Sequence, residues 1–491
     1  MENTDIKSRS IDMTQIEKIE VAEPPDQTIA FTTMETRRLL RKLDIAILPL
    51  VSTMYLLSFL DRSNIGNARL AGLEQDLGMT GWDYATAVSV FFPFYIISEV
   101  PSNLAMKKFR PSIWIPSIMV AWGIVMTLMG LVHNFGGLLA ARMALGLAEG
   151  GLFPGVAYYI TLWYRRHECG SRIAIFFSAA TAAGAFGGLL ARGIMEMDGI
   201  AGLNGWAWIF ILEGILTVIV AGISYKYLHD YPDTAKFLTE KEKTEVIRRL
   251  KDDSTALSNE FRTQFIKDAF TDWRILVHCL ITFTNFLPLY SISIFLPTII
   301  RGMGYTNETA QLLTVPPYFL ACLGTVGIGF AADRLRIRGL FVIGLATLAI
   351  VGFIILLTVD TNGVKYFACF LVLLGIYPNV PQITSWNSNN VGGSVKRGVA
   401  IAMQIGTGNM GGAVSGFIFQ ARDAPHYHTG HGILLALCCL TVLLASFMTW
   451  YLRRENSIRD SKHKPPQEYT LCEQEAEADK GDNASFFRYT V

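Results

Sequence analysis

Beyond a polar opening of thirty-odd residues, runs of roughly twenty mainly apolar residues recur along nearly the whole chain. A helix of that length crosses ~30 Å of hydrocarbon at ~1.5 Å per residue. The runs fall at roughly residues 44–60, 84–106, 112–132, 136–160, 171–194 and 206–228. After a polar stretch they resume at roughly 274–300, 311–332, 340–359, 364–386, 399–421 and 432–452. The pattern predicts an all-α membrane protein of twelve transmembrane helices in two six-helix bundles, over residues 44–228 and 274–452. A linker at 229–273 separates the bundles, and polar tails at 1–43 and 453–491 flank them, the second reading as disordered.

Loop charge gives the orientation, because cytoplasmic loops retain Lys and Arg. Arg37, Arg38, Arg41 and Lys42 precede the first run, and Lys107, Lys108 and Arg110 follow the second. Arg165 and Arg166 follow the fourth, Arg334, Arg336 and Arg338 the eighth, Lys396 and Arg397 the tenth, and Arg453 and Arg454 the twelfth. The alternate loops hold far fewer, chiefly Arg62, Arg69, Arg301, Lys365 and Arg422. Both termini and the linker are therefore expected in the cytoplasm. The first residues, which include Pro24-Pro25, lack the apolar core of a cleavable signal peptide, so targeting falls to the first helix.

Composition agrees with lipid as the solvent: 51% hydrophobic and 17% charged residues, with mean hydropathy +0.35. A net charge of +1 argues against a nucleic-acid partner. Seven cysteines, five of them in apolar runs without C-x-x-C spacing, indicate neither a disulfide framework nor a zinc site. The linker holds a turn at Tyr231-Pro232-Asp233, then Thr239-Glu240-Lys241-Glu242, a capping box that opens a charged helix through Arg249. No H-E-x-x-H, Walker loop or G-x-S-x-G elbow appears, so the chain reads as a non-enzyme without cofactors, and uphill work would draw on an ion gradient.

Related basic clusters after the second and eighth helices suggest an internal six-helix repeat. Gly329-Phe-Ala-Ala-Asp333-Arg334-Leu-Arg336-Ile-Arg338 resembles the G-x-x-x-D-R-x-G-R-K motif of the major facilitator superfamily, with Arg336 and Ile337 departing from it. The first copy, from Pro101 to Arg110, keeps only the positive charges. Three further segments are Leu60-Asp61-Arg62-Ser63-Asn64-Ile65-Gly66-Asn67-Ala68, Glu99-Val100-Pro101-Ser102-Asn103, and Arg142 through Gly146 and Glu149-Gly150-Gly151 to Pro154-Gly155. With Trp163-Tyr164-Arg165-Arg166 and Asp230-Tyr231-Pro232-Asp233, they resemble the anion:cation symporter branch, in particular the fungal allantoate permease group. The resemblance covers roughly residues 44–454. It implies two six-helix bundles around a midplane cavity, and import of carboxylates, vitamins or nitrogen sources, usually with protons.

Ionisable residues deep in a lipid-spanning helix are costly and so are functional candidates. The first half offers Glu99, Arg142, Glu149, Arg192 and Glu213; the middle of the second offers neutral groups such as Asn285, Asn379, Gln382, Gln404 and Asn409. Arg142 near the outer end of its helix suits a carboxylate through its planar fork, or snorkels to the interface. Glu149 lies too deep to snorkel, and reads as a proton-coupling residue or as a structural hydrogen-bond partner, with Glu99 the next candidate. Arg192 and Glu213 fall near membrane boundaries. Asp61 to Asn64 stand at the outer mouth of the first helix as a gate or a surface turn. Asp333 and Arg334 belong to a turn that docks on neighbouring helix ends or simply obeys the charge rule. Glycines at 184, 187 and 188, and at 408, 412 and 416, mark close helix packing. His426, His428 and His431 fall in an outer loop, which reads as solvated rather than metal-binding.

The expectation is a plasma-membrane symporter that imports a small organic anion with protons. Glu149 would carry the proton, Arg142 the anion, and Asn285, Gln382 and Gln404 selectivity. An exporter of a metabolite or drug on the same fold is the first rival, and a membrane nutrient sensor the second. Asn307-Glu308-Thr309 in an outer loop is an N-glycosylation sequon, whereas Asn483-Ala484-Ser485 lies in a cytoplasmic tail.

Overall fold

In hydrocarbon every backbone polar group must find a partner inside its own segment, and the chain meets this with helices throughout. The computed structural model describes residues 31–254, 263–419, 423, 427–465, 468–470, 473 and 476–491. Pro24-Pro25, part of the linker, Arg422 and His426 lie outside the described residues. Residues 1–42 and 43–491 form two units. In the first, Thr32 and Glu35 cap each other's backbone N–H groups at 2.8 and 3.3 Å. The second holds everything that follows apart from residues 33–42 of the first helix.

The first half comprises α1 (Thr33–Leu70), α2 (Asp83–Ser89), α3 (Phe91–Lys108), α4 (Pro111–Met129), α5 (Phe135–Glu149), α6 (Leu152–Thr161), α7 (Arg166–Met195) and α8 (Gly205–Tyr227). The linker carries α9 (Glu240–Ser254) and α10 (Thr263–Thr271). The second half comprises α11 (Trp273–Gly302), α12 (Asn307–Leu313), α13 (Val315–Leu335), α14 (Gly339–Thr358), α15 (Asn362–Ile376), α16 (Asn379–Asn390), α17 (Ser394–Ser415) and α18 (His428–Lys462). Among the described residues nine helical stretches are long and apolar enough to cross a membrane. The α2–α3 and α5–α6 stretches and α17 complete twelve; the first two are broken near Val90 and at Gly150-Gly151, and α17 carries Lys396 and Arg397.

Small residues set the interface between the halves. A side chain at Gly188 of α7 would stand 2.8 Å from the carbonyl oxygen of Gln311, and one at Gly416, just past α17, 2.9 Å from that of Ala85. The backbones therefore touch, as small residues allow.

Four expectations are corrected. The first helix does not stop near residue 60 but runs to Leu70, so residues 61–68 are helical and largely buried rather than an outer mouth. Arg62 and Glu213, read as a loop and a boundary residue, are 7% and 2% exposed. His431 leaves the expected loop for α18, buried against Phe353 and Phe419. The tail after residue 453 is not shapeless: α18 continues to Lys462, and residues 482–491 fold back on the second bundle, where Tyr489 enters a core with Ile281, Val342, Trp386 and Met448. One buried aromatic is enough to anchor such a segment, and a window average over polar residues hides it.

The linker helix α9 starts with Thr239 and Glu242 capping each other's backbone N–H groups. It docks on the start of α7, where the Arg249 guanidinium pairs with Glu168 and Arg165 Nε donates to the Arg249 carbonyl at 2.9 Å. The turn between α13 and α14 reaches the same end of α7. Arg338 pairs with Asp333, and both side chains crowd the position of a Cβ on Gly170. Arg336, where the motif has glycine, takes the left-handed φ of 54° that ends α13. This end of the molecule is called the linker face below.

Candidate functional site

The site is assembled from α1, α3, α5, α11 and α17. On α1 a full turn separates Ser58 from Arg62, so both present one face. On α5 Glu149 is the last helical residue, and Gly150-Gly151 break the helix before α6. The glycines lie flush against Tyr95, Ser98 and Ser102 of α3, where a side chain would collide. That close approach brings Glu149 to the centre of the first half.

There Glu149 Oε1 accepts from Ser58 Oγ at 2.5 Å and Arg62 Nε at 2.8 Å, with Arg62 Nη2 at 2.7 Å, while Oε2 has no partner. Arg62 also lies over the rings of Tyr95 and Phe91, 4.6 and 5.7 Å from their centroids. Its Nη1 donates across the interface to Tyr290 Oη of α11 at 3.3 Å. Tyr290 Oη donates to Asn409 Oδ1 of α17 at 2.8 Å, and Asn409 Nδ2 returns to the first half to reach Glu99 Oε1 at 2.9 Å. A continuous polar chain thus joins Glu149 to Glu99 through two residues of the opposite bundle.

Arg142 is buried, 2% exposed, which removes the snorkelling alternative. Its Nε donates to the Ala87 carbonyl at 3.1 Å, its guanidinium lies over Phe91, and Nη1 is unpartnered. Arg62, Arg142, Phe59, Phe92 and Tyr290 line a cavity of about 10 Å³ between the halves, room for one water. Four buried carboxyl groups, Asp61, Glu99, Glu149 and Glu213, accompany these two guanidiniums.

The other sequence candidates lie elsewhere. Asp61 Oδ2 accepts from Trp122 Nε1 at 3.0 Å, tying α1 to α4 inside the first bundle. Glu213 of α8 accepts from Asn64. Asn285, Gln382 and Gln404 are not brought to the cavity. Asn285 accepts from Asn379 at 3.3 Å, Gln382 accepts from Arg338 at 2.6 Å, and Gln404 bonds Thr282 and Asn387 at 2.8 and 2.9 Å. Their amides serve the internal polar network of the second bundle. Asp333 pairs with Arg338 rather than with its neighbour Arg334, which is exposed; Asn307 opens α12 and is half-buried.

Sequence reasoning placed Arg62 at the outer mouth and missed its pairing with Glu149, missed Tyr290, and did not single out Asn409 from its neutral neighbours. The usable signal for Arg62 was the apolar continuation Ile65, Ala68, Leu70, which keeps the helix going past the charge.

A family model described as "Major Facilitator Superfamily" matches residues 51–416. An uncharacterized transporter of Schizosaccharomyces pombe is 37% identical over 444 residues, covering 90% of this chain and 91% of that protein. MFS-type transporter cnsO of Penicillium expansum is 35% identical, covering 94% of this chain and 92% of that protein. Among solved structures, a D-xylose-proton symporter aligns with a TM-score of 0.61 at 14% identity, covering 82% of this chain and 97% of that one, a likeness of fold.

Proposed function

Because the chain belongs to the major facilitator superfamily, we propose that the cavity between its halves is a cargo site, and that the protein imports a small organic anion by proton symport. The observation that carries this reading is the shared arginine. Arg62 neutralises Glu149 in the closed cavity, while Arg142 beside it has an unpartnered Nη1. A proton on Glu149 releases the Arg62 guanidinium, and an incoming carboxylate takes Glu149's place on Arg62 and meets the unpartnered Nη1 of Arg142. Cargo and proton are then linked, since neither is accommodated well without the other. Glu99, hydrogen-bonded through Asn409, is the second proton-coupling candidate. Tyr290 and Ser293, which line the cavity, replace Asn285, Gln382 and Gln404 as the second-half polar groups nearest the cargo, with Asn409 behind Tyr290. The anion:cation symporter branch, with the allantoate permease group, is the subdivision that best suits this site.

Permease-deficient cells expressing the chain, offered a panel of labelled carboxylates, are expected to accumulate one of them, and an uncoupler is expected to abolish that accumulation. Faster loss of a preloaded compound, with resistance to a toxin and no uptake, would replace import by export.

The linker face is the cytoplasmic face of a plasma-membrane protein in this reading, as the basic loops require. Tags at Lys107 and Arg334 are then expected to be reached only after permeabilisation, and a tag near Asn307 from outside. Asn307 faces the compartment where glycans are added, whereas Asn483 stays unmodified. Labelling of a Lys107 tag in intact cells would reverse the orientation.

A further inference from the structure

Residues 482–491 make more specific contacts than a passive tail needs. The Asp482 carboxylate, 2% exposed, pairs with Arg274 of α11 at 2.6 Å and Lys396 of α17 at 2.7 Å. Asp272, at the head of α11, shares both cations; burial alone would raise its pKa, but the hydrogen bonds from Arg274 and Lys396 bring it to about 2, so it stays ionised. Arg459 of α18 donates to the carbonyls of Asp482 and Phe487 at 2.9 and 3.1 Å, and to Tyr489 Oη at 3.0 Å. Asn456 pairs with both backbone groups of Tyr489, at 2.8 and 2.9 Å. Asn390 of α16 does the same for Thr490, whose carbonyl also accepts from Trp386 Nε1 at 2.9 Å. The last contact is the Arg338 backbone N–H, which donates to the Val491 carbonyl at 2.8 Å.

We propose that residues 482–491 are a strap that holds the cytoplasmic gate shut. The strap joins α11, α16, α17 and α18, and its end fixes the backbone of Arg338. The Arg338 side chain, with Asp333, stands against Gly170 of the other half. Every strap contact named above is made with the second bundle, so its release frees the turn between α13 and α14 without breaking the first bundle. Gly392 marks how closely the strap is seated, since a Cβ there would collide with the backbone of Gly481 and Asp482. The proposal takes the cytoplasmic orientation from the reading above but not the cargo, and its test measures no transport.

Cys169 is the reporter: it is buried at the gate, next to Gly170. Its alkylation by a water-soluble maleimide is followed by mass spectrometry in inside-out vesicles, with Cys169→Ser as the control for assignment. Two variants release the strap in different ways, removal of residues 482–491 and Gly392→Ala. Both are expected to alkylate Cys169 several-fold faster than the intact protein, with Cys369 and Cys438, deep in the second bundle, unchanged. Unaltered Cys169 labelling in Gly392→Ala overturns the strap, and so does acceleration at all three cysteines, which would report general loosening. If the shortened chain does not reach the membrane, Gly392→Ala alone decides.

Discussion

A Glu149→Gln transporter is expected to exchange labelled substrate between equal pools yet lose net accumulation and its dependence on external pH. Glutamine keeps the size of the side chain and can accept from Ser58 and Arg62, which meet Oε1 at 2.5 and 2.8 Å, but it cannot change charge. Arg62 is then permanently released from its counter-ion, as it is when Glu149 carries a proton. Each pH unit across the membrane is worth about 1.4 kcal/mol per proton, a tenfold accumulation, and the variant forfeits that factor. Exchange, net uptake and surface abundance are measured together. A structural role for Glu149 predicts low abundance with coupling intact in the protein that remains. Full accumulation by a well-expressed variant would transfer the coupling role to Glu99.

Arg142→Lys is expected to reach the membrane and to raise KM for the anion by roughly ten- to hundred-fold, about 1.5–3 kcal/mol for a hydrogen bond to a charged group. The guanidinium has two jobs that one ammonium cannot divide: Nε holds the Ala87 carbonyl at 3.1 Å while Nη1 remains available to the cavity. A lysine must choose between them, although the positive charge is retained. Because Arg142 also lies over Phe91 in a buried site, a loss of packing is separated from a loss of binding by comparing thermal stability with and without substrate. Unchanged KM in a stable variant would remove Arg142 from the anion site.

The twelve spans were legible because lipid imposes length and apolarity on each one separately, so no knowledge of packing is needed. Glu149 and Arg142 were legible for the same reason, as charges where none is tolerated cheaply. What was not legible depends on partners distant in the chain. Arg62 reads as a loop charge until Glu149, 87 positions away, is seen to neutralise it. Asn409 does not stand out from Asn285 or Gln404 in composition or depth; only the packing of α17 against α3 takes it to Glu99. The folded-back residues 482–491 were read as solvated because their counter-ions, Arg274 and Lys396, belong to helices named for other reasons.

The cavity of about 10 Å³ bears on what the protein does when it has nothing to carry. A single water held between Arg62, Arg142 and Tyr290 would have no file of neighbours along which a hydronium charge could hop, and the two guanidiniums would repel that charge. An idle carrier in this state does not short-circuit the membrane. Cells expressing it at high level in the absence of substrate are therefore expected to keep their pH gradient, which a cytoplasmic pH indicator checks.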